Sequence, residues 1–145
     1  MVVYLDTSAL VKLYVEEEGR DLVREAVGIA ERAVTSTVAY AEARAGLARR
    51  FRERDFTEEE YRGAVGDLDD DWPAYDRLDV SETISHLAGG LAESHALRGY
   101  DAVHLASAAR FSMRFEDLRF LCFDGRLNDA ARGAGLAVYD DEAEA

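Results

Sequence analysis

Short apolar runs alternate with longer stretches of helical periodicity along the chain. Val2–Leu5 is an apolar run of strand length. Thr7 or Ser8 is then placed to cap a helix through Ala9, Leu10, Val11, Lys12, Leu13 and Tyr14, and Gly19 breaks it. Leu22, Val23, Ala26 and Ile29 recur at helical spacing. Residues 33–37 are rich in β-branched side chains and read as a second strand. Residues 40–54 predict a long helix with Ala41, Ala45 and Ala48 along one side. Thr57 followed by Glu60 is the signature of a capping box. Two further helices follow, interrupted near Trp72 and Pro73, and residues 77–80 read as a strand. Ser81 caps a helix reaching about Leu97, with Ile84, Leu87, Leu91 and either Ala88 or His95 on its apolar stripe. Gly99 ends that helix and Asp101 opens the next. A strand over 119–123, a helix over Gly125–Gly133 and a last strand over 136–139 complete the pattern.

Strands separated by helices imply an α/β fold: three layers, α/β/α, around a mainly parallel central sheet. The expected organisation is a single domain over residues 1–139, followed by an acidic, flexible tail over 140–145. In parallel sheets of this kind, sites form beyond the carboxyl ends of the strands. Asp6 directly follows the first strand and Asp124 directly follows Phe123, the end of another. If those strands are parallel neighbours, both acids project from one edge.

Composition narrows the setting. The chain has 145 residues, 48% of them hydrophobic, enough for a real core. Its one cysteine, Cys122, excludes an intrachain disulfide and sits in an apolar run, as a buried thiol does. No basic segment precedes the first apolar run, as a signal peptide requires, and no run approaches the length of a membrane span. A cytoplasmic protein without membrane contact is expected. The charge balance is unusual: 30 acids face 17 bases, a formal net charge of -13, and Lys12 is the sole lysine. Such a surface repels nucleic acid at low salt, although bound cations and high salt both weaken the repulsion. Acid excess with almost no lysine matches a salt-adapted protein, while a GC-rich genome offers another origin for the arginines.

Most acids belong to charge runs on solvated surface, such as 16–18, 58–60 and 69–71. Asp6, Glu42, Asp101 and Asp124 instead stand inside apolar sequence, where a carboxylate needs compensation. Each has an ordinary explanation. Asp6 and Asp101 could be helix N-caps, Glu42 could pair with Arg44 or Arg49, and Asp124 could start a turn with Gly125. Clustered carboxylates repel and burial raises their pKa values, and a divalent cation reverses both effects. An all-oxygen set selects Mg²⁺ or Mn²⁺ over Zn²⁺. His86 and His95 are scattered, and His104, one turn after Asp101, fits a packed or supporting role. Arg44, Arg49, Arg50, Arg52 and Arg54 form the one dense basic stretch, able to grip phosphates, pair with a partner's acids or simply face solvent.

The segments 5–14, 41–47, 100–108 and 123–131, carrying LDTSALVKLY, AEARAGL, YDAVHLASA and FDGRLNDAA, resemble PIN domains in order and spacing. They most resemble the toxins of VapBC-type toxin–antitoxin pairs. The resemblance implies a PIN fold and a ribonuclease using Mg²⁺ or Mn²⁺. It implies metal binding and catalysis at Asp6, Glu42, Asp101 and Asp124, with Ser8 ordering a ligand or water. Asp129 is a further acid near the pattern, expected on an exposed helix face. The family also implies a homodimer, a cognate antitoxin and an RNA substrate. The acidity departs from the family's usual basic rim. Two other strand-end aspartate enzymes fit less well: aspartyl-phosphate phosphatases want a second Asp where Ser8 stands, and receiver domains want a late lysine. The remaining alternative is a non-catalytic PIN-fold module that binds RNA or an antitoxin.

Overall fold

The computed structural model describes residues 1–139, so the acidic tail expected at 140–145 lies outside the described residues. The elements are β1 (Val2–Leu5), α1 (Thr7–Lys12), α2 (Arg20–Ile29), β2 (Arg32–Ser36), α3 (Val38–Arg52) and α4 (Glu58–Asp71). They continue with β3 (Asp76–Leu78), α5 (Glu82–His95), α6 (Gly99–Ser112), β4 (Leu118–Leu121), α7 (Gly125–Gly133) and β5 (Ala137–Val138). The sheet has five strands in the order β3-β2-β1-β4-β5, and every pairing is parallel. β1 lies at its centre, with Leu5 opposite Leu121 of β4.

Alternation along β1 divides the core. Val3 and Leu5 pack with buried residues of α1, α2, α3 and α4 on one face. Val2 and Tyr4 pack with Leu105, Phe111 and Leu127 of α6 and α7 on the other. A central strand buried on both faces must be apolar at every position, which is why Val2–Leu5 reads as a continuous run. Burying a side chain such as Leu5 or Leu127 contributes roughly 1.5–3 kcal/mol.

Several local expectations are corrected. Asp6, not Thr7 or Ser8, is the N-cap of α1: its carboxylate accepts the Ala9 amide. The buried side of α3 is Ala39, Ala43 and Leu47, while Ala41 and Ala45 are exposed. Alanines mark every face of α3, so composition alone did not orient it. The segment after Trp72 is a single 3₁₀ turn, Trp72–Ala74, rather than a second helix. β3 is confined to Asp76–Leu78, because only these residues pair with β2. α5 buries Ile84 and Ala88 but leaves Leu87 exposed. It ends at His95, with Ala96 in the left-handed region, and Gly99 starts α6 instead of ending α5. The Thr57–Glu60 capping box is present as expected.

Candidate active site

Because β1 and β4 are parallel neighbours, the residues just beyond Leu5 and Leu121 emerge from one edge of the sheet. Asp6 is 5% exposed there, and its Oδ1 accepts the Ala9 amide at 3.0 Å and the Ser8 hydroxyl at 2.7 Å. Ser8 Oγ in turn accepts the Phe123 amide at 3.1 Å, tying the end of β1 to the segment that leads into Asp124. Asp124 is the N-cap of α7: its Oδ1 accepts from the Arg126 amide at 2.9 Å and the Leu127 amide at 3.4 Å. Glu42 stands early in α3, which starts just past the carboxyl end of β2. Its Oε1 accepts the Thr7 hydroxyl at 2.6 Å and lies 2.8 Å from His104 Nε2. Asp101 is half-buried in the first turn of α6, whose N-cap is Arg98, so it is not itself the cap.

Electrostatics shows how near these groups are. Burial pushes Asp6 up to about 6. The Ser8 hydroxyl and the Ala9 amide oppose this rise, and Asp101 adds to it. Asp101 is also raised, by burial first and then by the negative charges of Asp124 and Glu42. Glu42 goes the other way: burial acts against its charge, but hydrogen bonds from His104 and Thr7 outweigh burial and hold it low. Asp101 therefore feels the charges of Asp124 and Glu42, and Asp6 feels that of Asp101. Asp129 pairs with Arg132 on α7, one turn along.

The donor set suits a hard divalent cation. In Asp6, Glu42 and Asp124 the protein's hydrogen bonds fall on a single oxygen, which leaves the second oxygen of each for a ligand. An ionised Asp6 buried beside another acid is also poorly compensated without a cation. Among the described residues, no group of three or more His, Cys, Asp or Glu side chains stands close enough to form a ready-made cage. Glu42 with Asp101, and Asp101 with Asp124, instead line open cavities.

Two cavities meet at Asp101. One, of about 630 Å³, is lined by Glu42, Ala88, Gly89, Tyr100 and Asp101 among others. The other, of about 250 Å³, is lined by Arg98, Asp101, Asp124 and Arg126. The arginine-rich end of α3 is partly engaged elsewhere: Arg50 pairs with Glu17, and Arg44 donates to the Tyr40 hydroxyl. Arg49, Arg52 and Arg54 are exposed.

Two site residues were not singled out in the sequence. Thr7, read there as a possible helix cap, bridges Glu42 and His104. Arg98 borders both cavities. Position next to Asp6 and Asp101 was the available signal for each. His104, expected to pack or support, does both: it is 2% exposed and touches Glu42.

Fold and site together define a three-layer α/β/α protein with a carboxylate site at the carboxyl edge of a parallel sheet. The model of the PIN domain family matches residues 3–133, and the chain belongs to that family. It is 41% identical over 137 residues to Ribonuclease VapC45 of Mycobacterium tuberculosis, covering 94% of each chain. FitAcB from Neisseria gonorrhoeae superposes with a TM-score of 0.69 at 18% identity, over 94% of this chain and 96% of that one. VapBC-5 of M. tuberculosis, a member of the VapBC family of toxin-antitoxin systems, gives 0.62 at 19% identity, over 94% and 96%. Among the described residues, no helix is long and apolar enough to cross a membrane.

Proposed function

We propose that this chain is a Mg²⁺- or Mn²⁺-dependent ribonuclease that hydrolyses RNA phosphodiester bonds as the toxin of a VapBC-type pair. The observation that carries the reading is the convergence of Asp6, Glu42, Asp101 and Asp124 on one sheet edge, in a chain 41% identical to a named VapC ribonuclease.

Asp6 and Asp101 would hold the principal cation, Asp124 would complete the site, and Glu42 would hold a second ion or orient the attacking water. Bound Mg²⁺ or Mn²⁺ supplies Lewis acidity and a lowered water pKa. Ser8 locks the rotamer of Asp6 and keeps Phe123, and hence Asp124, in register with it. Buried Asp6 and half-buried Asp101, whose pKa values are raised, would stay ionised beside such a cation. Arg98 and Arg126, beside Asp101 and Asp124, are the cationic groups placed to meet a phosphate. The partners in this reading are an RNA substrate, a cognate antitoxin and a second copy of the chain, in the cytoplasm.

The absence of a ready-made three-ligand cage among the described residues favours a second reading, a PIN-fold module that binds RNA or an antitoxin without cutting. One experiment separates the two. Total cellular RNA is incubated with wild type and with Asp101→Asn, with Mg²⁺, Mn²⁺ or EDTA, at low and at molar KCl. Metal-dependent discrete fragments from wild type, lost in Asp101→Asn while that variant stays folded and at least as stable, support the nuclease. Metal binding without cleavage at either salt supports the module.

A further inference from the structure

His104 is almost fully buried, at 2% exposure, on the stretch of α6 that also buries Ala102, Leu105, Ala106 and Ala108. An apolar side chain would serve packing there, so a buried imidazole calls for partners. It has them on both nitrogens: Tyr4 Oη lies 2.8 Å from Nδ1, while Glu42 Oε1 and Thr7 Oγ1 lie 2.8 and 3.0 Å from Nε2. A carboxylate only accepts, so the nitrogen facing Glu42 carries a hydrogen. The Thr7 hydroxyl already spends its own hydrogen on the same Glu42 oxygen.

We infer that His104 is a positioning residue for Glu42. Its Nε2–H and the Thr7 hydroxyl together hold Glu42 Oε1, which leaves Oε2 as the working oxygen. Tyr4, fixed in the centre of the sheet, donates its hydroxyl hydrogen to Nδ1 and so selects the tautomer that can hold Glu42. A line of contacts thus runs from β1 through α6 to α3, three elements that meet only in the folded chain. The inference rests on the metal-dependent reading of the site, but it concerns the aim of one carboxylate and not the identity of the substrate.

The test uses the full chain and Mn²⁺ as the probe. Mn²⁺ affinity is measured by calorimetry, and kcat and KM on RNA are measured separately. His104→Leu, which keeps bulk and loses the donor, is expected to weaken Mn²⁺ binding about tenfold or more, the usual effect of removing a group that orients a metal ligand. Its kcat should fall while KM stays in place. His104→Gln, whose amide N–H can occupy the place of Nε2, should recover most of the loss. In a Glu42→Gln background, His104→Leu should cause little further loss, because the two act as a unit. Histidine ring ¹⁵N shifts should show the Nε2–H tautomer in wild type. Tyr4→Phe, a near-isosteric change, should lose part of that tautomer and part of the Mn²⁺ affinity.

Wild-type Mn²⁺ affinity in His104→Leu, or a loss undiminished by Glu42→Gln, overturns the inference. If His104→Leu does not fold, Tyr4→Phe with wild-type affinity and tautomer does so. Failure of the wild type to bind Mn²⁺ overturns this inference and the metal-dependent reading together. Mn²⁺ binding with the expected variant pattern but without RNA cleavage sinks the nuclease reading and leaves His104 in its assigned role.

Discussion

Under the proposed metal-dependent function Asp6 has to ionise, yet it sits where ionisation is unfavourable. Its pKa is raised from 3.8 to about 6, with burial the largest cause. That gap is worth roughly 3 kcal/mol, at about 1.36 kcal/mol per tenfold change in proton affinity. The sign follows from linkage: between about pH 4 and 6 the folded metal-free chain holds a proton on Asp6 that the unfolded chain has released. This acid therefore contributes stability below pH 4 that is lost as pH rises towards 6. Glu42 and Glu17, whose pKa values are lowered, act in the opposite sense and lose their contribution as pH falls. The difference between variants isolates Asp6. Urea unfolding in EDTA should show Asp6→Asn gaining stability on wild type as pH rises from 4 to 7; parallel curves would remove the conflict assigned to Asp6. Asp6, Glu42, Asp101 and Asp124 were legible because carboxylates are rare in apolar sequence. His104 was read only as packed or supporting, without its partner, and Thr7 only as a possible cap, since a threonine at a helix start has ordinary uses.

At the scale of elements, the turn between α1 and α2 bears on the site. Gly19 has φ +94°, and a Cβ there would stand 2.7 Å from Phe123 Cε1 and 3.0 Å from Lys12 Cδ. Gly19→Ala is strained in backbone and in packing, and should destabilise by more than about 1 kcal/mol. Relief requires the Phe123 ring to turn away, beside a backbone whose amide is bonded to Ser8 and leads into Asp124. Gly19→Ala should therefore lower both Tm and RNA cleavage, and an unchanged Tm would refute the packing account. Thr57→Ala offers the contrast: losing the cap of α4 should cost about 1 kcal/mol by urea unfolding while RNA cleavage is retained. The capping box could be read directly, since both partners lie within one turn of sequence. The inward face of α3 could not, because Ala39, Ala41, Ala43, Ala45 and Ala48 mark several sides alike.

Across the whole molecule, a formal net charge of -13 on 145 residues opposes both compaction and the approach of RNA. Salt screens each effect, the Debye length falling to about 3 Å near 1 M. Thermal unfolding should show Tm rising between low and molar KCl, and an unchanged or falling Tm would dismiss self-repulsion as a destabilising influence. RNA cleavage should rise over the same range if repulsion limits encounter. Lys12 and Arg50 both turn onto Glu17, so they offset that acid rather than those of the site.

The α/β/α layering and Asp6 at the end of β1 were determined by the sequence alone, because alternating periodicity and a carboxylate closing an apolar run are local signals; Asp124 was expected directly after a strand ending at Phe123, but β4 ends at Leu121 and Asp124 caps α7 instead. The parallel pairing of β1 with β4 converts that pattern into a shared edge. The tertiary structure alone decided which side of α3 is buried, and that Tyr4, His104 and Thr7 converge on Glu42. Those outcomes depend on contacts between residues up to 100 positions apart, as Tyr4 and His104 are. No periodicity or spacing along the chain encodes which partner such a side chain meets.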